Sequence, residues 1–113
     1  MLFRSEAAET GFRSFLQKFP KSSLASDATF NLGEAYFFRK RPREAAEQYL
    51  KVSTDYAQSR RAPEALVKLG LSLEQLGAKE QACAAWENLA RKYPNASASI
   101  KASADREQKR AQC

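Results

Sequence analysis

The side chains of this sequence best suited to chemistry are its two cysteines, Cys83 and Cys113. The chain contains no histidine, so neither thiol has an imidazole that could activate it as a nucleophile. Their separation also differs from the Cys-x-x-Cys spacing of redox-active pairs. Two interpretations remain at this point: a structural disulfide, or a buried Cys83 with an unrelated terminal thiol.

Carboxylates are the other candidate catalytic groups, and their arrangement does not favour an enzyme. Without histidine, the usual nucleophilic triads, His-metal sites and imidazole acid–base chemistry are excluded. The sequence also lacks a phosphate-binding loop, metal-ligand spacing and a nucleophile elbow. We interpret the acids as solvated helix faces, chiefly at Glu34, Glu44, Glu47, Glu64 and Glu74. The sequence therefore predicts no enzymatic activity, no cofactor and no metal.

A repeat of 37 residues runs through the elements that carry these side chains. The step relates three aromatic positions (Phe12, Tyr49, Trp86), three small ones (Ala8, Ala45, Ala82) and two Leu-Gly pairs (Leu32-Gly33, Leu69-Gly70). A fixed period of this size, with small and large apolar positions in register, indicates stacked helical hairpins. A glycine lets a neighbouring helix approach closely, which offsets the roughly 1 kcal/mol that it costs within a helix. We expect the three aromatic side chains to fill equivalent buried niches.

The order of these positions resembles the tetratricopeptide repeat. Its pattern is Leu-Gly, then Tyr, then Ala, then an aromatic residue, and Leu32-Gly33, Tyr36, Ala45 and Tyr49 match it at the same offsets. The resemblance implies an all-α superhelix, for which we expect about six antiparallel helices. We predict one domain over residues 1–113, made of a half-repeat (6–20), two repeats (24–57 and 61–94) and a C-terminal capping helix (97–112).

The predicted capping helix favours the disulfide interpretation of the cysteines. If this helix runs antiparallel to the one before it, its end returns to the start of its neighbour. Cys113 then lies close to Cys83, and the even cysteine count leaves no thiol over. The sequence therefore predicts a Cys83–Cys113 disulfide, with the buried cysteine and unrelated terminal thiol as the alternative.

The net charge is +6, and the basic residues cluster at predicted helix ends and turns, in residues 39–43, 60–61 and 109–110. Cations favour helix C-termini, and no aromatic residues interleave with a continuous basic stripe. We therefore expect no nucleic-acid partner, although a basic nucleic-acid binder stays a further alternative. The chain has no apolar run of 18 residues, so we expect no membrane insertion. The opening Met1-Leu2-Phe3-Arg4 is too short for a signal peptide. The chain opens almost directly into a predicted helix, which suggests a fragment of something longer.

A partner-binding groove is the function that the repeat favours most. In a tetratricopeptide array, the first helix of each hairpin lines the concave side. By helical periodicity, two predicted helices would direct the following residues there: Asp27, Phe30, Asn31, Glu34, Phe37, Glu64, Val67, Lys68, Leu71 and Glu74. Four of them, Phe30, Phe37, Val67 and Leu71, would form an apolar strip that the hairpin core does not need. An amphipathic helix with basic flanks would fit such a strip with an acidic rim.

Two longer motifs carry a narrower resemblance. FLQKFPKSSLASDATFNLGEAYF, followed by AAEQYLKVSTDYAQSRRAPEALVKLGLSL, resembles the C-terminal tetratricopeptide domains of the YbgF (CpoB) family of Tol-Pal system proteins. The long inter-repeat turn, Phe-Pro-x-Ser-x-x-Ala in that family, occurs here as residues 19–25. Its second copy, residues 56–62, lacks the proline.

This narrower resemblance implies a cellular role. Members are periplasmic cell division coordinators that bind the helical region of TolA and trimerise through an N-terminal coiled coil. The signal peptide and coiled coil would belong to a full-length parent, so we expect the isolated domain to be monomeric. The alternative is a scaffold component of an outer-membrane assembly complex, because such periplasmic repeat proteins share similar turns.

Overall fold

The structure is a computed structural model that describes residues 6–113. Residues 1–5 lie outside the described residues. They include Met1-Leu2-Phe3-Arg4, on which the signal-peptide expectation rests. Within 6–113 every regular element is a helix, so the predicted all-α fold is confirmed. The helices of this range are, in chain order, α1 (Glu6–Lys18), α2 (Ala25–Phe38), α3 (Pro42–Asp55), α4 (Ala62–Gln75), α5 (Lys79–Lys92) and α6 (Ala98–Ala111).

Proline, glycine and serine mark the places where several helices begin and end. Pro42 opens α3, where its missing N–H would have no intrahelical partner. Gly77 follows α4 with a φ of 83°, a left-handed conformation that glycine adopts without steric cost. Ser97 precedes α6, and its Oγ accepts a 3.2 Å hydrogen bond from the backbone N–H of Ile100. These boundaries are therefore encoded locally.

Consecutive helices pack against each other along the chain, and α6 also contacts α4. Three residues separate α2 from α3 and α4 from α5, which makes each of these pairs a tight antiparallel hairpin. The core lies between the hairpins, and its largest fully buried side chains include Trp86, Tyr49, Leu89 and Val52. Each hairpin buries its apolar face against the next, as in other helical repeat arrays.

Glycine–aromatic contacts join the two helices of each hairpin. A Cβ added to Gly33 would lie 2.9 Å from Cε1 of Tyr49, and one added to Gly70 would overlap the indole of Trp86. Tyr49 and Trp86 are 0% and 2% exposed, so the expected niches exist for both. The Nε1–H of Trp86 donates a 3.1 Å hydrogen bond to the backbone carbonyl of Val67, which satisfies its polar group.

The third aromatic position does not share this environment. Phe12 is half-buried and packs against the edge of the core, so the prediction of three equivalent buried niches is wrong for this residue. The physical reason is the glycine contact: Tyr49 and Trp86 lie against Gly33 of α2 and Gly70 of α4, and no glycine among residues 6–113 takes that place beside Phe12.

The cysteines meet at the far end of the fold. Cys83 lies in α5, and Gln112 adopts a left-handed conformation that turns the chain after α6. The N–H of Cys113 then donates a 2.9 Å hydrogen bond to the carbonyl of Gln108. In the structure, Cys83 and Cys113 form a disulfide with a Cα–Cα separation of 5.6 Å, inside the range such bonds require. The bond fastens the end of α6 near the start of α5.

Candidate partner-binding site

The predicted groove residues on α2 and α4 lie mostly on one surface, which we name the α2–α4 face. Its first feature is an ion-pair cluster at the N-terminal ends of the two helices. Arg61 Nε lies 3.2 Å from Asp27 Oδ1, and its Nη1 lies 3.3 Å from Glu64 Oε1. Arg60 adds a longer, exposed contact of 3.5 Å to Asp27. The guanidinium of Arg61 therefore bridges the two helices.

A second ion pair lies two turns further along both helices. Lys68 Nζ is 3.7 Å from Glu34 Oε1, and the Tyr49 hydroxyl donates a hydrogen bond to the same carboxylate. Burial of the ring, followed by the adjacent negative charge of Glu34, raises the pKa of the Tyr49 phenol above its ordinary value of 10.0. The Tyr49 phenol thus stays protonated and donates to Glu34, whose carboxylate also pairs with the Lys68 ammonium.

Both cations of these pairs also lie over aromatic rings of α2. Arg61 Cζ is 4.9 Å from the centre of the Phe30 ring. Lys68 Nζ is 5.5 Å from the Phe37 ring and 5.9 Å from the Phe38 ring. Cation–π attraction adds to the ion pairs here, because the rings present their negative faces to the charges.

A third ion pair continues the series towards α6. Arg110 contacts Glu74 at the end of α4, and its Nε lies 2.7 Å from Glu107 Oε1. Hydrogen bonds to Glu74 and then Glu107 raise the pKa of the Arg110 guanidinium above its ordinary value. Each of these three ion pairs therefore joins a cation on one helix to an acid on another helix.

Two residues of the predicted apolar strip belong to the core instead. Phe30 and Val67 are 3% and 7% exposed, so the prediction that they are surplus to the core is wrong. The Phe30 ring packs 5.7 Å from that of Tyr49 and lies beneath the Arg61 side chain. Periodicity places a residue on a helix face, but it does not show that a side chain of the next repeat covers that face.

The remaining predicted residues divide between two surfaces. Phe37 of α2 and Leu71 of α4 are half-buried, and Phe38 of α2 is 37% exposed. We name these three accessible apolar side chains the apolar edge of the α2–α4 face. Phe37 and Phe38 pack edge to face, with ring centres 5.8 Å apart. Asn31 does not join them, because it lines a groove between α1 and α2, which Asp27 also lines.

Sequence reasoning missed Arg61, Arg110 and the Tyr49 hydroxyl as members of this site. The spacing of charged residues in the sequence could have indicated the role of Arg61. Asp27 and Arg61 are 34 residues apart, and so are Glu34 and Lys68. The interval of 34 residues is about one helical turn shorter than the 37-residue repeat. At this offset, residues on the first helices of successive repeats face each other. Acids on one repeat with cations at this offset on the next would have indicated the contact.

The side chains of the α2–α4 face are suited to binding a partner. Its charged groups are ion-paired, and its apolar edge offers surface that a partner could bury. Among residues 6–113, no helix is long and apolar enough to cross a membrane.

The tetratricopeptide repeat family matches residues 27–59 and 64–96 of the chain. The two matches begin 37 residues apart, which is the step of the repeat, and together they cover more than half of the sequence. No curated protein matches the chain. Tetratricopeptide repeats generally mediate protein–protein interactions and are typically non-enzymatic. On this match, supported by the helical hairpins and their glycine–aromatic contacts, the chain belongs to the tetratricopeptide repeat family.

Proposed function

We propose that this chain is a protein-binding module that takes a helical segment of a partner along its α2–α4 face. The observation that carries the proposal is the apolar edge of Phe37, Phe38 and Leu71 beside a row of ion pairs. Aromatic side chains and a leucine that remain accessible after folding are suited to bury against a partner. An amphipathic helix supplies an apolar stripe for such an edge and polar positions for the charged groups beside it.

The charges of the face favour an electrically mixed partner. Asp27, Glu34, Glu64 and Glu74 already pair with the nearby cations Arg60, Arg61, Lys68 and Arg110. A partner of a single sign would have to break these pairs on one side. A helix with charges of both signs can instead exchange one ion pair for another, which adds to specificity more than to affinity.

The partner and compartment follow from the narrower resemblance. We infer a Tol-Pal-associated cell division coordinator that acts in the bacterial periplasm and binds the helical region of TolA. Motifs such as FPKSSLA at residues 19–25 support this assignment. The disulfide between Cys83 and Cys113 also supports it, since disulfides persist in oxidising compartments such as the periplasm.

Titration with a purified helical segment of TolA tests this function. Leu71→Gln should weaken binding by at least about tenfold, which corresponds to about 1.4 kcal/mol, because it removes apolar contact at the edge. Leu50→Gln is the matched control, since Leu50 is half-exposed on α3 and away from the face. Phe30→Ala is unsuitable as a binding probe, because this buried ring also stabilises the core.

Two results would contradict the proposal. Absence of saturable binding by the wild-type domain would exclude a TolA-like helix as the partner. Equal losses for Leu71→Gln and Leu50→Gln would place the binding surface away from the α2–α4 face. Thermal unfolding of both variants controls for general loss of structure.

A further inference from the structure

A groove of about 540 Å³ lies between α3 and α5, with α4 as its floor. We name it the α3–α5 groove. Its apolar lining consists of Leu50 of α3, Leu66, Leu69 and Leu73 of α4, and Ala85 of α5. The groove shares no residue with the ion pairs or the apolar edge of the α2–α4 face. It is therefore a second surface of the domain.

The apolar residues of the floor follow one line along α4. Leu66, Leu69 and Leu73 are spaced by three and four residues, which places them on one side of the helix over a length of about 10 Å. Leu66 and Leu69 are buried, whereas Leu73 is half-buried and Leu50 is 50% exposed. The groove therefore combines a closed apolar floor with two leucines that a partner can still cover.

The preceding repeat has larger and more polar side chains at the equivalent places. The positions 37 residues before Leu50, Leu73 and Ala85 are Arg13, Tyr36 and Gln48. Tyr36 is buried, so its ring fills space at the crossing of α1 and α3. A leucine in place of this tyrosine, and an alanine in place of the glutamine, leave that space open between α3 and α5. The α3–α5 groove therefore depends on residue choices in the second repeat.

One end of the groove is positively charged and has no acid beside it. Arg91 and Lys92 line this end, and the lining contains no aspartate or glutamate. Lys92 Nζ donates hydrogen bonds of 3.1 Å to Oγ and 3.3 Å to the carbonyl oxygen of Ser53, and Arg91 donates to the side-chain oxygen of Asn88. Among residues 6–113, no carboxylate forms an ion pair with either cation. Their charges are therefore available to a partner, unlike those of Arg61.

The shape of the groove favours a helix over a small molecule. Its lining comes from α3, α4 and α5, which leaves the side opposite α4 open to solvent. Small-molecule sites enclose most of their ligand. An amphipathic helix instead buries one apolar stripe and keeps its polar side in water. The two cations add a requirement for a carboxylate at one end of that helix, because complementary charges orient a partner.

We propose that the α3–α5 groove binds an acidic amphipathic α-helix of another polypeptide. Apolar residues of this helix, spaced by three and four, lie along Leu66, Leu69 and Leu73, and a carboxylate at one end lies beside Arg91 and Lys92. The interaction goes beyond the proposed function, since it uses none of the α2–α4 face. The domain thus holds two helices on separate surfaces.

The probe is the synthetic helix EEKQLAQLAKQLAQAA, whose leucines have the same spacing as those of α4 and whose glutamates lie at one end. Titration into the isotopically labelled domain should give saturable shifts of backbone amide signals in α3, α4 and α5. The same peptide with both glutamates replaced by glutamine should bind at least about tenfold more weakly. Absence of saturable binding, or equal binding of both peptides, would overturn the proposal.

A charge variant of the domain tests the contact with the glutamates. Arg91→Gln should reduce the difference in affinity between the two peptides, because the contact is then lost from the side of the domain. Lys21→Gln is the matched control, since Lys21 is exposed in the turn before α2 and does not line the groove. It removes the same charge and should preserve the difference. An equal reduction by both variants would reduce the effect to net charge and overturn the proposal.

Filling the groove provides the last test. Leu73→Tyr introduces the residue that the preceding repeat has at this place, and we expect loss of peptide binding with the fold retained. Leu76→Tyr is its matched control, since Leu76 is 41% exposed and does not line the groove. Leu50→Gln, at an exposed position, should also weaken peptide binding, whereas Leu71→Gln should leave it unchanged. Unchanged binding by Leu73→Tyr, or a dimer of the free domain that Leu73→Tyr converts to monomer, would overturn the proposal.

Discussion

At the scale of single residues, close contact between glycine and a large ring decides how tightly a hairpin closes. Trp86 lies directly against the Cα of Gly70, whereas no neighbouring atom of residues 6–113 lies within 4 Å of a Cβ added to Gly11 in α1. The same residue type is therefore required at one site and dispensable at the other. Helix propensity alone would favour alanine over glycine at both positions.

We expect Gly70→Ala and Gly11→Ala to change stability in opposite directions. Gly70→Ala should lower the free energy of unfolding by about 1–3 kcal/mol, because the methyl group overlaps the indole of Trp86. Gly11→Ala should raise it by about 0.5–1 kcal/mol, because alanine favours the helix and meets no obstacle. Urea unfolding of both variants measures the two values. A Gly70→Ala protein as stable as the wild type would contradict the close packing.

Because the Tyr49 phenol is buried, we expect the domain to lose stability at alkaline pH. Burial, and then the Glu34 carboxylate, raises its folded-state pKa above the ordinary value of 10.0. Its contribution is fully present below about pH 10 and is lost as the pH rises, because only the unfolded chain releases the proton easily. The free energy of unfolding should fall by up to about 1.4 kcal/mol per pH unit from this group.

Tyr49→Phe should make that alkaline decline shallower, although the variant also loses the hydrogen bond to Glu34. Burial raises the pKa of Tyr36 and Tyr93 as well, so part of the decline should persist. Urea unfolding at several values between about pH 8 and about pH 11 gives the two slopes. Equal slopes for wild type and variant would show that Tyr49 ionises as readily in the folded chain as in the unfolded one.

At the scale of elements, α6 depends on few apolar contacts. Ala104 and Ala111 are its buried residues, and Ile100 is half-buried. Two further attachments hold it: the Arg110–Glu74 ion pair with α4 and the disulfide with α5. A covalent bond has a clear use for such a helix, because alanines contribute little apolar area.

Reduction of the disulfide should loosen α6 before the other helices. Hydrogen exchange of the α6 amides should become faster, while α2 to α4 keep their protection. The chain-entropy estimate for a loop of this length is roughly 3–4 kcal/mol, which sets the upper limit of the stability loss. A Cys83→Ser/Cys113→Ser double variant is the control for the reducing agent. Two free thiols in oxidised, unfolded protein would contradict the bond itself.

At the scale of the whole molecule, the basic clusters are largely neutralised within the chain. Arg39 and Arg41 turn towards Glu9, a buried carboxylate. Arg61 pairs with Asp27, and Arg110 pairs with Glu74. The net charge of +6 is therefore spread over many small clusters. This distribution differs from the continuous basic stripe that a nucleic acid requires.

We expect the isolated domain to sediment as a monomer of 12.7 kDa. Its outer helix α6 is polar on its exposed side, which is how repeat arrays end without self-association. The net positive charge also disfavours close approach of two copies at low salt. Sedimentation velocity over a range of protein concentrations measures the mass. A concentration-dependent shift towards twice that mass would contradict the expectation.

The sequence by itself determined the architecture, because its signals are local or strictly periodic. The 37-residue step, the Leu-Gly pairs and boundary residues such as Pro42, Gly77 and Ser97 predict the helices and their hairpin order. The proximity of Cys83 and Cys113 follows from the same reasoning, since an antiparallel pair of helices brings the end of α6 close to the start of α5.

Only the tertiary structure decided which groove residues remain accessible. Phe30 lies on the predicted face of α2, yet Arg61 reaches across from the next repeat and covers it. Phe12 follows the predicted repeat, yet it is half-buried, because no glycine among the described residues lies against its ring as Gly33 lies against Tyr49. Periodicity reports the direction of a side chain from its own helix axis. Burial depends on atoms that arrive from other elements, and their positions are set by the packing of the whole chain.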